Sequence, residues 1–351
     1  MCGIAGFWTK SAENSANWLE KIASNMANTL DHRGPDDNGT WVDPEVGIAF
    51  GHRRLSIIDI SDAGHQPMIS QDGRYVISYN GEIYNFQKLR QELEKLGHRF
   101  RGHSDTEVML ASFIEWEVEG SLKRFNGMFA FALWDRRDRL LYLARDRIGE
   151  KPLYYGVQNG TLFFGSELKA IRAHSDFAPE IDRDALASFL RFSYVPAPHS
   201  IYRGIKKLLP GHMLCLKSPL SENNPQSYWS LEEVMHASNR DPFSGSDEEV
   251  VGELEKQLKK TVRSRMVSDV PLGAFLSGGI DSSTVVALMQ AQSDRPVNTF
   301  TIGFHEQEFN EAVHAKKVAE YLGTNHTELY VTPQEAMDVI PKLPEMYDEP
   351  F

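Results

Sequence analysis

A cysteine directly after the initiator methionine places a thiol on the second residue and, once Met1 is removed, a free α-amine on that same residue. A thiolate is a nucleophile, and an α-amine with a pKa of ~7.7–8 is a general base near working pH. The structural alternative is a small apolar residue that begins a strand. Four polar segments accompany Cys2: His32-Arg33-Gly34-Pro35-Asp36-Asp37, then Gly51-His52-Arg53-Arg54 running into Leu55-Ser56-Ile57-Ile58, then Tyr79-Asn80-Gly81-Glu82, and Ser104-Asp105-Thr106-Glu107. Taken singly, each has an ordinary explanation. Asn80-Gly81 between alternating runs is a hairpin-turn signal. Ser104 to Glu107 reads as a capping box that opens a helix. Arg54 serves equally well in a surface salt bridge.

A second cluster, Phe275-Leu276-Ser277-Gly278-Gly279-Ile280-Asp281-Ser282-Ser283, lies between a strand pattern and a helix pattern. A Gly-rich turn there lets successive backbone N–H groups point at a phosphate, with the helix dipole adding to the attraction. The plain alternative is helix capping by Ser and Asp. No Gly-Lys-Ser/Thr follows, so this is not a Walker A loop, and the Gly-x-Gly-x-x-Gly dinucleotide pattern is absent.

The elements that must position these residues fall into two textures. Up to about Gly211 there are short apolar runs in hairpin order: Ile4–Trp8, Ile48–Ile60, Tyr75–Tyr79, Met128–Trp134, Leu140–Ala144, Leu153–Val157 and Thr161–Gly165. Helical spacing appears at Trp18, Leu19, Ile22, Ala23, Met26 and Leu30, and again at Phe86, Leu89, Leu93 and Leu96. That pattern predicts a mostly antiparallel α+β domain. Pro219, Pro225, Pro242 and Gly245 punctuate a connector. Beyond it, a helix stripe (Val250, Val251, Leu254, Leu258, Val262) precedes strands at Leu272–Leu276, Val297–Gly303 and Thr327–Val331, which alternate with helices near Ser282–Gln290 and Glu311–Leu322. Such alternation predicts a parallel α/β sheet.

Composition narrows the partners. With 351 residues, 41% hydrophobic and 25% charged, the chain has room for about two domains with cores of their own. The longest apolar run, Gly127–Trp134, is far short of the ~18 residues a membrane helix needs, and no secretory signal pattern opens the chain. Two cysteines, Cys2 and Cys215, exclude a disulfide framework, so a cytoplasmic setting is expected. The formal charge is −12, of which the residues after Pro210 carry −11. An acidic surface disfavours nucleic acid as a partner; a small substrate fits better.

Together, Met-Cys-Gly-Ile-Ala-Gly, His-Arg-Gly-Pro-Asp, Arg-Leu-Ser-Ile, Asn-Gly-Glu and Ser-Asp-Thr-Glu, in this order, resemble the class II glutamine amidotransferases. The likeness runs from Cys2 to about Gly211 and takes in Arg145-Asp146-Arg147-Ile148-Gly149-Glu150-Lys151-Pro152-Leu153-Tyr154-Tyr155. It implies an N-terminal-nucleophile fold, an αββα sandwich. By this resemblance Cys2 attacks the glutamine side-chain amide and Arg54 holds the glutamine α-carboxylate through its guanidinium fork. Backbone groups of Leu55, Ser56, Ile57 and Ile58 line the pocket, and Asp105, helped by Glu82, holds the α-ammonium. The Asn80 amide and the Gly81 N–H stabilise the oxyanion, a contribution of ~2.7–4 kcal/mol per donor in comparable sites.

Ser-Gly-Gly-x-Asp-Ser resembles the pyrophosphate loop of the ATP pyrophosphatases. That likeness implies ATP as co-substrate, with Ser277, Gly278, Gly279, Asp281, Ser282 and Ser283 around the pyrophosphate. It also implies Leu276 and Ile302 beside the adenine, and Mg2+ at Asp281. The two likenesses in this order resemble the glutamine-hydrolysing asparagine synthetases. They imply a glutaminase domain at 2–211, a connector at 212–245 and the N-terminal part of a Rossmann-like α/β parallel-sheet synthetase domain (PP-loop type) at 246–351, left incomplete at Phe351. The implied substrates are glutamine, aspartate and ATP, the implied assembly a homodimer, and the implied route for ammonia an internal tunnel. Two other functions fit the same residues: amidation of a different carboxylate, and a stand-alone N-terminal-nucleophile amidase.

Overall fold

The computed structural model describes all residues except 11–14, 222–223, 307 and 309. Contacts divide the chain into two units, one comprising Met1–His236 with Tyr347–Phe351, the other Ala237–Met346.

The first unit contains β1 (Gly3–Thr9), α1 (Ala16–Asn28), β2 (Asp37–Asp43), β3 (Ile48–Arg54), β4 (Met68–Ile69), β5 (Tyr75–Ile83), α2 (Phe86–Lys95) and α3 (Asp105–Arg124). It continues with β6 (Gly127–Asp135), β7 (Leu140–Arg145), β8 (Tyr154–Gln158), β9 (Thr161–Gly165), α4 (Leu168–Arg172) and α5 (Arg183–Phe192). β10 (Ile205–Lys207), β11 (His212–Leu216) and β12 (Gln226–Ser227) follow, and α6 (Leu231–Arg240) spans the division between the units.

Two six-stranded antiparallel sheets form, ordered β10-β8-β9-β1-β3-β2 and β12-β11-β7-β6-β5-β4. β1 is buried along its whole length because both faces of its sheet are covered. On one side Ile4, Trp8, Phe50 and Phe164 meet Val76, Trp134, Leu141 and Leu143 of the second sheet. The Trp8 and Trp134 rings cross edge-on at 5.1 Å. On the other side Ala5, Phe7 and Ala49 pack on Leu19, Ala23 and Met26 of α1, the helical stripe read from the sequence. Phe113 of α3 meets Tyr75 and Phe131 on the outer face of the second sheet. Helix, sheet, sheet, helix is the αββα sandwich of the N-terminal-nucleophile fold.

Three local expectations are corrected. The apolar run Ile48–Ile60 is not one strand: β3 stops at Arg54, because the Arg54 guanidinium gathers the carbonyls of Ile58, Asp59 and Ser61 into a loop. Asn80-Gly81 is not a hairpin turn but the interior of β5, paired with Ala130 and Phe129 of β6. Glycine is required there by close approach rather than by a positive φ, since a Cβ would sit 2.2 Å from the Met128 carbonyl oxygen. Finally, β11, expected to fall in the connector, pairs along its length with β7 of the second sheet. Residues 222–223 of that connector lie outside the described residues.

In the second unit, α7 (Asp247–Ser264) is opened by a capping box between Ser246 and Glu249. It precedes β13 (Gly273–Phe275), α8 (Ile280–Gln290), β14 (Asn298–Phe304), α9 (Ala312–Leu322), β15 (Asn325–Val331), α10 (Pro333–Val339) and α11 (Leu343–Met346). The three strands pair in parallel in the order β13-β14-β15, as the alternation predicted. Leu276, Val286, Ala315 and Ala319 form a small core between this sheet and its helices. Among the described residues, no helix is long and apolar enough to cross a membrane.

Candidate active site

The start of β1 and the end of β3 bring Cys2 beside Leu55. The Leu55 amide donates to Cys2 Sγ at 3.4 Å, and the thiol lies 3.7 Å from the Leu55 carbonyl. Arg33 Nε donates to the Cys2 carbonyl at 2.9 Å, and the same guanidinium is held by Glu167 at 2.6 Å. Burial pushes the Cys2 thiol up, against the pull of the Leu55 amide, the chain's terminal ammonium and Arg54. The α-amine that opens the chain is moved the other way: burial lowers it, and Arg33 and Lys151 add to the effect.

A cavity of about 120 Å³ opens at the sulfur, with Asn80, Gly81, Glu82, Arg54 and Asp105 among its walls. Asn80 is fully buried, and neither Nδ2 nor Oδ1 has a hydrogen-bond partner. An unpaired buried amide costs ~1–3 kcal/mol, so such groups are rare without a ligand to satisfy them. Leu55, Ile57 and Ile58 line the same cavity, whereas Ser56 does not; its amide is taken by Asp36 Oδ2 at 2.7 Å. Arg54 reaches the cavity wall, but three of its contacts go to the loop carbonyls named above, so it shapes the lining as well as facing it.

Asp105 opens α3, and Ser104 caps that helix, its hydroxyl accepting from Glu107 N at 3.3 Å. Asp105 Oδ2 accepts from the Tyr79 hydroxyl at 2.7 Å and from Ile83 N at 2.9 Å. Burial nevertheless raises its carboxyl, and burial with Asp105 nearby raises Glu82. Two carboxyls, one guanidinium and one ammonium around a small cavity suit a zwitterionic amino acid.

In the second unit the loop after β13 turns at Gly278, whose φ is +80°. Ser277 and Ser282 hydroxyls bond each other at 2.9 Å, and Ser277 N donates to Ser282 Oγ at 3.2 Å. Gly279 is the N-cap of α8, which leaves the first amides of the helix without a side-chain cap. Ser283 Oγ is buried without a partner, and Asp281 is exposed in the first turn. Leu276 and Ile302 stand on neighbouring strand ends, with Leu276 N donating to the Phe300 carbonyl at 2.9 Å, but their side chains face opposite sides of the sheet. Leu276 is buried in the core under the helices, whereas Ile302, 49% exposed, lies on the other face of β14.

Comparison with known proteins adds the decisive observation. The family model described as a glutamine amidotransferase domain matches residues 1–229, and that described as asparagine synthase matches residues 253–351. "Asparagine synthetase [glutamine-hydrolyzing] 1" of Bacillus subtilis (strain 168) is 38% identical over 353 residues, covering 100% of this chain and 53% of that protein. "Asparagine synthetase [glutamine-hydrolyzing] 3" of the same organism is 35% identical, covering 96% and 55%. "Putative asparagine synthetase [glutamine-hydrolyzing] 2" of Methanocaldococcus jannaschii is 35% identical over 370 residues, covering 100% and 69%. This chain belongs to the glutamine-hydrolysing asparagine synthetase family. It spans about half the length of the two Bacillus relatives.

Within this family, the first unit supplies the amidotransferase portion, and its cavity holds residues that sequence reasoning passes over. Tyr79 fixes Asp105, and Gln66 Oε1 accepts from Tyr79 N at 2.8 Å. Met128 and Lys151 complete the wall. Lys151 lies inside a stretch that carries the family likeness, but nothing in a sequence announces that a lysine is 5% exposed.

Proposed function

We propose that the first unit hydrolyses glutamine to glutamate and ammonia, and that the complete protein uses this ammonia to amidate aspartate at the expense of ATP. The observation that carries the reading is the buried, unpartnered Asn80 amide beside the Cys2 thiol.

With Met1 removed, the Cys2 α-amine takes the thiol proton and the thiolate attacks the glutamine δ-carbon. Asn80 Nδ2 and the Gly81 N–H receive the oxyanion. The α-ammonium returns its proton to the departing nitrogen, releasing ammonia, and water then cleaves the thioester to give glutamate. Arg54 holds the α-carboxylate; Asp105 and Glu82 hold the α-ammonium. Leu55, Ile57 and Ile58 exclude water.

In the second unit the loop Ser277–Ser283 receives the pyrophosphate portion of ATP on its backbone amides. Adenylation of the aspartate β-carboxylate supplies the leaving group it lacks, and attack by ammonia yields asparagine and AMP. A magnesium ion suits the single exposed carboxylate of Asp281, because Mg2+ binds through one or two carboxylates plus substrate phosphates. Bound there, it would neutralise phosphate charge. Leu276 supports the loop from the core, and Ile302 offers an exposed apolar surface on the neighbouring strand.

The test supplies the complete protein with glutamine, Mg-ATP and aspartate. Stoichiometric glutamate, AMP, pyrophosphate and asparagine are expected. Glutamate formation that ignores aspartate would keep the amidotransferase reading and move the acceptor to another carboxylate. Absence of glutamate would sink the reading.

A further inference from the structure

The loop 145–151 is built to an unusual standard for a surface connection. The Asp146 carboxylate accepts from five backbone amides: Phe129 at 3.1 Å, Ile148 at 3.1 Å, Gly149 at 2.6 Å, Glu150 at 3.0 Å and Lys151 at 3.0 Å. Arg145 donates to the carbonyls of Lys151 at 2.8 Å, Leu208 at 2.7 Å and Gly149 at 2.6 Å. Lys151 is thus pinned at its amide by one charged neighbour and at its carbonyl by the other. What this bracing fixes is a single side chain that enters the Cys2 cavity.

That side chain is buried, and among the described residues no carboxylate lies within ion-pair distance of it. Its close polar neighbour is the Met1 thioether, 3.2 Å from Nζ, which is a weak acceptor. A buried ammonium without a carboxylate partner is costly, and a fold tolerates it where its charge acts on something nearby. The group beside it is the N-terminal residue. Removal of Met1 opens the space next to Nζ and transfers the free amine to Cys2.

We propose that Lys151 is a positioning residue of the thiol–amine centre: its braced, buried ammonium keeps the Cys2 α-amine uncharged and so available as the base. This rests on the glutamine-hydrolysis reading given above. A second positive charge close to an amine disfavours protonation of that amine. While Met1 is in place, the charged groups that face its terminal amine are the Cys2 thiol, Arg33, Asp36, Glu82 and Lys151; the Cys2 amine that replaces it begins one residue further along, in the cavity that Cys2 and Lys151 both line. Arg33 acts in the same direction as Lys151, while Cys2 and Asp36 oppose them. Burial lowers the Lys151 ammonium itself and Arg33 adds to this, while Glu82, Glu150 and Asp146 favour its charged form. Of the two amines, the α-amine has the lower ordinary pKa and gives up its proton first.

The chain's two cysteines make a direct measurement practical. Protein labelled with 15N-cysteine carries one amine nitrogen, at Cys2, and one amide nitrogen, at Cys215. The Cys2 nitrogen is titrated through its Hα in the Met1-free chain, together with Lys151→Met, Lys151→Gln and Lys151→Arg. The two neutral variants are expected to move the midpoint up by about one pH unit, and the acid limb of kcat/KM for glutamate release should follow. Lys151→Arg should leave both where they were. An unmoved midpoint in whichever neutral variant folds, or an active protein whose intact mass still includes Met1, overturns the assignment. A parent chain whose midpoint responds to Lys151 but which releases no glutamate instead overturns the hydrolysis reading and leaves the electrostatic role standing.

Discussion

The Leu55 amide donates to the sulfur of Cys2 from 53 positions away in sequence, at 3.4 Å. This contact ties the start of β1 to the end of β3 and sets the sulfur at the mouth of the cavity. A serine at position 2 keeps the small side chain and the α-amine but loses the nucleophilicity of a thiolate. Cys2→Ser should therefore lower glutamate release to ~0.1% of the parent or less, with an unchanged melting temperature. A glutamine-analogue electrophile should label Cys2 and not Cys215, which lies in β11 outside this cavity. Peptide mass spectrometry reads both cysteines in one experiment.

Asn80 offers a separation of function from stability. Its amide has no partner in the folded protein, so removing it relieves a buried unpaired group while leaving a small void. These effects oppose each other, and Asn80→Ala is expected to melt within about 2 °C of the parent. Its kcat should fall by ~10²–10³, with KM nearly unchanged, if the amide acts on the oxyanion alone. A large drop in melting temperature with kcat intact would place Asn80 in the scaffold instead.

Asp105 should behave in the opposite sense to an ordinary salt-bridged carboxylate. Burial raises its folded-state pKa above the unfolded value. Between those two values the folded protein binds more protons than the unfolded one, so stability falls as pH rises through that window. Asp105→Asn should thus melt higher than the parent at pH 7, and the two curves should converge in acid. The same change should raise the glutamine KM by ~30-fold or more, through loss of a buried charge partner for the α-ammonium. Thermal melts from pH 3 to 8, set beside glutaminase kinetics, test both halves.

How much of this was legible in the sequence depends on which force set each feature. The apolar stripe of α1 and the alternation of the second unit follow from periodicity, and both stand where the sequence places them. Asn80-Gly81 misleads because the dipeptide's turn signal rests on positive φ, whereas here glycine answers a carbonyl 2.2 Å from its absent Cβ. The run after Arg54 misleads for another reason: its isoleucines suit a strand, but one guanidinium gathers the carbonyls of Ile58, Asp59 and Ser61 into a loop. The likeness to amidotransferases marks Cys2, Arg54, Asn80 and Asp105, which the fold gathers around one cavity. Tyr79 and Lys151 fall inside quoted motifs, but the sequence assigns them no role, because burial and long-range contacts, not residue type, give them their place.

His174 makes the first unit acid-sensitive. Its ring is enclosed by Phe7 at 4.5 Å and Phe163 at 4.9 Å, its Nδ1 accepts from Asp176 N at 3.1 Å, and its Nε2 has no partner. Burial lowers its pKa to about 4, against an ordinary 6.5. The unfolded chain therefore takes up a proton that the folded one refuses. Stability present above pH 6.5 is lost as pH falls toward 4, by about 2–3 kcal/mol for this group. His52, buried at Tyr79 O, adds a second contribution of the same sign. His174→Phe should flatten the acid side of the stability curve while costing about 1 kcal/mol at pH 8, where the Asp176 amide loses its acceptor. Urea midpoints at pH 5 and pH 8 distinguish this from a general loss of packing, which would be equal at both.

Two glycines in the second unit contrast a tight loop with a helix surface. Gly278 adopts φ +80°, and a Cβ there would lie 2.8 Å from both Ala315 N and His314 Cβ. The Gly278→Ala side chain meets strain of ~1–2 kcal/mol from the left-handed backbone and displaces the loop besides. At Gly252, within α7, an added Cβ would meet nothing within 4 Å. Gly252→Ala should stabilise the unit by ~0.5–1 kcal/mol through helix propensity alone. If the loop after β13 cradles pyrophosphate on its amides, Gly278→Ala should weaken ATP binding to the complete protein at least ~10-fold, because several amides lose their aim together. Gly252→Ala should bind as the parent does. Calorimetric titration of both variants decides the matter, and equal affinities would remove the loop from the nucleotide site.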